Sequence, residues 1–250
     1  MKNQSFVPPF VPHLPNRPVS TVVISSEFPD IKESLERRKV QVLTVEPSQS
    51  LAPPVQSHAD LQILPLDENQ ILISPDQMRL KEKLEQLGIR VLVGEKLNPE
   101  YPKDVLYDAV RIHNRYICNP KTISPFAKTF WDSCNLKPVW VKQGYTKCSV
   151  CVVDQNSIIT ADAGITKAAQ AVDFDVLTIS PGFIELPGYD TGLIGGCTGK
   201  LSQNCMAFTG RLNSHPDAQL IRCFLQERKI EIVELSNRPL IDIGGIIPIC

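Results

Sequence analysis

Apolar and polar positions recur along this chain in blocks of one kind, and His58 to Gly94 shows the block most fully. Leu61, Ile63 and Leu64 form a short apolar run, Asp67-Glu68-Asn69 a polar turn, and Ile71 to Ile73 a second run, the pattern of an antiparallel hairpin. Ser74-Pro75 reads as a helix start, a side-chain cap followed by a proline whose missing N–H costs nothing in the first turn. Met78, Leu80, Leu84 and Leu87 recur at roughly helical spacing among charged neighbours, and Gly88 ends the helix where a left-handed residue is cheapest. Ile89, Val91 and Val93 supply a closing strand. The unit is hairpin, helix, strand.

The pattern returns four more times. A first copy has a strand at Val22–Ile24, a helix from Pro29 to Lys39 and a strand at Val40–Val45, so it lacks one strand of the hairpin. The third runs from Asp104 to Val141, with strands at Val105–Ile112 and Tyr116–Cys118 around a His113-Asn114 turn. Its helix follows Ser124-Pro125, with Phe126, Phe130 and Cys134 on one face. The fourth has strands at Cys148–Val153 and Ile158-Ile159, a helix around Ile165, Ala168, Ala169 and Val172, and a strand at Val176–Ile179. The fifth opens on the glycine-rich Gly192–Leu201, continues through Cys205–Phe208 and a helix carrying Leu220, Ile221, Phe224 and Leu225, and closes at Ile230–Val233. Leu240 to Cys250 then remains as a single strand, the piece the first copy lacks.

Five copies at a period of roughly 35–55 residues predict a repeat architecture whose units bury their apolar faces on one another. The fold class expected is α/β, a five-fold pseudosymmetric propeller of ββαβ modules closed by the C-terminal strand beside Val22–Ile24. An open doubly wound sheet is the alternative, and the antiparallel pair in each unit argues against it. Residues 1–20 hold Pro8, Pro9, Pro12, Pro15 and Pro18 and read as an extended arm or tail; residues 21–250 read as one domain.

Composition narrows the class of protein. A chain of 250 residues with 42% hydrophobic content can bury a large core, and a net charge of −1 without a basic run excludes nucleic acid and anionic membrane as expected partners. No apolar block suits a signal peptide or a membrane span, so the eight cysteines read as free thiols of a cytoplasmic protein. Cys148 and Cys151 lie on an expected strand, where odd spacing puts their side chains on opposite faces. No second CxxC completes a zinc site, so no metal is expected and the pair reads as structural.

Chemistry is sparse. Gly195-Gly196-Cys197-Thr198-Gly199-Lys200 fails as a phosphate loop, since Ile194 stands where the first glycine belongs and Leu201 follows the lysine. The glycines permit close approach, either of a ligand or of a neighbouring strand. Among the histidines, His13 falls in the arm, His113 in a turn and His215 at a helix start. His58 heads an expected strand with Asp60 two residues on, facing the same way, an arrangement suited to acid–base work or, structurally, to capping a strand.

Five ββαβ modules closed by a C-terminal strand with a glycine pair, here Gly244-Gly245, resemble the pentein fold of the guanidine-modifying enzymes: the deiminases, dimethylarginine hydrolases and amidinotransferases. The resemblance covers about Thr21 to Cys250 as architecture, and His58-Ala59-Asp60 is similar to the His-x-Asp of the deiminases. It implies an axial site with a cysteine nucleophile near the C-terminus, a histidine acid–base and carboxylates that hold the guanidinium. On this chain that points to His58, Asp60 and Cys250 for chemistry, and to Asp108, Gly195, Gly196, Cys197, Asp242 and Gly244 for binding, Cys197 being a second candidate nucleophile. The pattern departs from the family in place. The family's histidine belongs to a later module, and the matching Tyr145-Thr146-Lys147 has none. The resemblance implies a guanidino or amidine ligand and no cofactor, and leaves a homo-oligomer open. A non-catalytic ligand-binding or interaction protein on the same fold is the alternative to a hydrolase or transferase.

Overall fold

The computed structural model describes residues 11–250. Five three-stranded sheets account for its strands. The first module holds β1 (Thr21–Ser25), α1 (Pro29–Glu36) and β2 (Gln41–Val45). The second holds β3 (Ile63–Pro65), β4 (Gln70–Ile73), α2 (Met78–Gln86) and β5 (Arg90–Val93). The third comprises β6 (Val110–Ile112), β7 (Arg115–Cys118), α3 (Pro125–Ser133) and β8 (Lys137–Trp140). The fourth inserts a short helix, α4 (Thr146–Ser149), before β9 (Cys151–Val152), β10 (Ser157–Thr160), α5 (Ala163–Gln170) and β11 (Asp175–Thr178). The fifth runs through β12 (Thr198–Ser202), β13 (Cys205–Phe208), α6 (Ala218–Glu227) and β14 (Glu231–Glu234), and β15 (Ile247–Pro248) ends the fold.

All five sheets share one pairing scheme, an antiparallel pair followed by a parallel pair across the helix. In the first module β15 supplies the antiparallel partner, with Val22 opposite Pro248 and Val23 opposite Ile247. The missing strand is therefore found, but it is shorter and later than the sequence indicates. Residues 241–246 do not pair with β1; Ile243 and Gly245 donate to the Gly196 carbonyl, and Ile246 to that of Thr198.

Local signals explain the helices. Ser74 Oγ accepts from the Asp76 N–H at the turn leading into α2, and Gly88 takes φ +82 just past its end. Leu80 and Leu84 are buried, Ile165 and Ala169 on α5, Ile221 and Leu225 on α6. On α3 the buried face is Ala127 and Trp131, not the expected Phe126, Phe130 and Cys134; Phe126 is 44% exposed. Trp131 decides the phase, because it buries the largest area and its indole N–H finds the Leu66 carbonyl at 2.9 Å.

From Val11 onward the N-terminal arm lies against the body. His13 is buried at φ +63, Val19 donates to Leu201 O at 2.8 Å, and Ser20 donates to Cys250 O. Pro8 and Pro9 lie outside the described residues. No helix among the described residues is long and apolar enough to cross a membrane.

Candidate functional site

The expected site residues do not sit on strands. His58 and Asp60 lie in the turns before β3, Asp108 in the loop before β6, and Gly195 and Gly196 in a 3-10 turn before β12. Loop backbone, rather than alternation along a strand, aims these side chains. His58 N–H bonds Val55 O at 3.1 Å and Asp60 N–H bonds Gly244 O at 3.1 Å, which ties the second module to the C-terminal segment.

Cys148 stands at the centre. The sequence predicts a strand here with Cys148 and Cys151 facing opposite ways; Cys148 lies on α4 instead, and the two side chains still part company. Cys151 enters the core beside Met206, while Cys148 Sγ lies 3.1 Å from Asp60 Oδ2 and 2.9 Å from Asp108 Oδ2. Donor atoms of His58, Asp60 and Cys148 all fall within 4.8 Å of one another. Asp108 Oδ1 accepts from the Lys147 and Cys148 backbone N–H groups, so one carboxylate both anchors the short helix and touches the thiol it carries.

Asp242 completes the group. Its Oδ1 accepts from Gly244 N–H at 3.0 Å and lies 3.7 Å from His58 Nδ1; its Oδ2 accepts from Leu193 N–H at 2.9 Å. A cavity of about 170 Å³ opens onto His58, Cys148 and Asp242, walled by Val55, Leu61, Leu186 and Leu193, with Tyr145 and Tyr189 beside it.

Burial and mutual repulsion set the charge state. Burial, then the facing Asp60 carboxylate, push Asp108 well above the ordinary carboxylate range. Asp242 is also raised by burial, with His58 opposing and Asp60 adding to the shift. The Cys148 thiol is held protonated by burial first, then by Asp108, Asp60 and Asp242. The Asp108 carboxyl and the Cys148 thiol therefore both favour their protonated forms.

The other expected residues stand behind the site. A Cβ on Gly196 would come within 1.9 Å of Asp242 Oδ1, one on Gly195 within 2.1 Å of Lys147 O, and one on Gly244 within 2.4 Å of His58 Cα. These glycines serve close packing and do not line the cavity. Cys197 is fully buried, donates to Ile194 O and belongs to an apolar cluster with Ile159 and Phe208. Cys250 pairs with Ser20 and lies outside the cavity's lining. Neither expected nucleophile is placed at His58; the thiol beside it is Cys148. Its one sequence signal was position: it follows directly on Tyr145-Thr146-Lys147, the spoke where the family's histidine is absent.

A family described as "Family of unknown function (DUF6873)" matches residues 23–247. The chain belongs to this family. No curated protein matches it by sequence. Among solved structures it is similar to an inosamine-phosphate amidinotransferase of Streptomyces griseus, at TM-score 0.60 and 10% identity, covering 97% of both chains. It is similar to DDAH of Pseudomonas aeruginosa in complex with citrulline, at TM-score 0.55 and 10% identity, covering 91% of this chain and 96% of that one. A C. jejuni agmatine deiminase aligns at TM-score 0.54 and 10% identity, over 94% of this chain and 93% of that one. The fold is the pentein fold of the guanidino-modifying enzymes, in a family of its own.

Proposed function

We propose that the cavity binds a small planar cation of the guanidino or amidine class, with Cys148 as the thiol that attacks its carbon. One observation carries this. Two buried carboxylates, Asp60 and Asp108, meet the Cys148 thiol and a third, Asp242, stands beside His58 on the same cavity, and among the described residues no lysine or arginine lies within ion-pair distance of them. Buried carboxylates with no cation in contact are costly to ionise, and a bound cation relieves that cost. A guanidinium presents N–H groups in a plane that matches carboxylate geometry.

The same cation switches the thiol. Once it offsets the field of Asp60, Asp108 and Asp242, the proton on Cys148 is held less tightly and thiolate becomes accessible. The thiol proton passes to His58, attack forms an Sγ–carbon bond, the C–N bond breaks, and the amine leaves with that proton. Water then cleaves the Sγ–carbon bond and regenerates the thiol. Compared with the related enzymes, acid–base and nucleophile sit on different spokes, His58 on the second module and Cys148 on the fourth. In the non-catalytic alternative the carboxylates hold the cation and no bond changes.

The walls define the rest of the ligand. Val55, Leu61, Leu186 and Leu193 offer an alkyl chain its surroundings, and no lysine or arginine among the described residues lines the cavity to receive a carboxylate. The ligand is an alkylguanidine or alkylamidine rather than an α-amino acid. Supporting this frame, we take the pairing of β15 with β1 as closure of a five-fold propeller, residues 21–250 as one domain, and the free thiols as suited to a reducing compartment such as the cytoplasm.

The decisive experiment compares two alkylating agents, neutral iodoacetamide and an amidinium-bearing haloalkane, by peptide mapping. Cys148 should react at least about tenfold faster with the cationic reagent, while exposed Cys134 and Cys223 show no such preference. The preference should vanish in Asp108→Asn. Equal ratios at all three cysteines would end the proposal. Release of amine or ammonia from an alkylguanidine separates enzyme from binder.

A further inference from the structure

The geometry points to a second occupant of this site: a thiophilic divalent cation of the zinc class, held by Cys148 Sγ, the Asp60 carboxylate and a ring nitrogen of His58. The donor set is the mixed sulfur, nitrogen and oxygen kind that zinc accepts, and a three-ligand site leaves a fourth position open. Bond lengths of about 2.0–2.3 Å place donors in a tetrahedral shell roughly 3.3–3.8 Å apart. The three donors here already lie within 4.8 Å of one another, and Sγ and Asp60 Oδ2 are 3.1 Å apart, so shifts within side-chain torsions suffice.

A second observation is independent of that clustering. Asp60 is 1% exposed, and its Oδ1 has no hydrogen-bond partner, although its Oδ2 meets the thiol. A buried carboxylate oxygen left unpaired costs free energy that a bound cation removes. The surroundings also orient the ligands. Asp242 Oδ1 stands 3.7 Å from His58 Nδ1, so a carboxylate flanks the ring on that side, short of a hydrogen bond. Asp108 holds α4, and with it Cys148, through two backbone N–H groups.

Binding forms an Sγ–metal bond and releases the thiol proton to solvent; no oxidant or reductant is involved. The metal draws on the same carboxylates as the guanidino cation but does not depend on that cation being the natural ligand. The two should exclude each other, because a thiolate committed to a metal cannot attack carbon and Asp60 cannot serve both.

Cobalt(II) is the probe, added to the purified, reduced full-length protein. One equivalent should bring up a thiolate-to-cobalt charge-transfer absorption in the near ultraviolet. The band should be displaced by zinc, absent in Cys148→Ser, and weakened at least about tenfold in apparent affinity in Asp60→Asn. It should persist in Cys197→Ala and Cys250→Ala, and circular dichroism checks that each variant folds. No band in the wild-type protein, or a band that survives Cys148→Ser, overturns the inference; the wild-type titration decides even where a variant fails to fold. Calorimetry of n-butylguanidine in the presence of a chelator tests the guanidino proposal separately. A cobalt band without guanidine binding overturns only that proposal, and guanidine binding without a band overturns only this one. Zinc should raise the apparent Kd of n-butylguanidine, and a chelator should restore it. Simultaneous binding without competition overturns the shared site.

Discussion

Asp108 Oδ2 lies 2.9 Å from Cys148 Sγ, and Asp108 Oδ1 holds the N–H of that same cysteine at 3.2 Å. One carboxylate thus holds the thiol in position and, after burial, adds most to keeping it protonated. It is itself held above the ordinary carboxylate range, first by burial and then by Asp60.

Asp108→Asn should therefore separate stability from function. A group whose folded pKa is raised stabilises the protein below its unfolded value, and that contribution is lost as pH rises through the folded pKa. The wild-type protein should lose stability as pH climbs from about 4 toward that raised value, and the amide, which never ionises, should flatten this part of the profile. Thermal melts at pH 5 and pH 8 would show Tm falling less in the variant, while affinity for n-butylguanidine drops about tenfold or more with the loss of a charged partner. A variant with an unchanged pH profile would show that Asp108 is not the carboxylate that carries the raised pKa.

The cavity should prefer an alkylguanidine to arginine. Placing a carboxylate against Val55, Leu61, Leu186 and Leu193 leaves a charge unpaired, so n-butylguanidine should bind at least about tenfold more tightly than arginine by calorimetry. Arginine binding as tightly would require a cationic recognition group that the described lining lacks.

Gly244→Ala should destabilise the fold through backbone alone. The residue has φ +76, and an added Cβ would lie 2.4 Å from His58 Cα, so both conformation and space oppose it. A loss of about 1–3 kcal/mol is expected in urea denaturation. Gly88→Ala has φ +82 but no atom within 4 Å of the added Cβ, so it should cost less. Equal losses at both positions would mean that the contact with His58 is immaterial.

Removal of residues 246–250 should unfold the domain instead of trimming a tail. It strips β15 from β1 and with it the Ile247 and Ile249 side chains, which pack in one cluster with Val23, Ile63 and Ile73. Circular dichroism of the truncated chain would reveal it. A melting temperature within a few degrees of the intact protein would mean that the first module stands without its borrowed strand.

Periodicity by itself determined the module, the helix starts at Ser74-Pro75 and Ser124-Pro125, the five closing strands and the need for a last strand to complete the first unit. Those features rest on neighbours within a few residues, where spacing, capping and proline geometry act directly. Of the residues that the order and its resemblance to a known fold single out, His58 and Asp242 stand 3.7 Å apart and Asp60 and Asp108 both meet Cys148. Phase within a helix was not fully legible, as α3 shows, because Phe126 and Trp131 compete for burial and only packing against Leu66 and Tyr116 chooses between them. Which thiol stands beside His58 was least legible. Cys148, Cys197 and Cys250 look alike along the chain; what distinguishes Cys148 is a four-residue helix, too short for any periodic signal, that turns it toward Asp60 and Asp108. Those two carboxylates come from 88 and 40 residues away, and their contacts with the thiol exist only once folding brings the distant loops together, against their mutual repulsion.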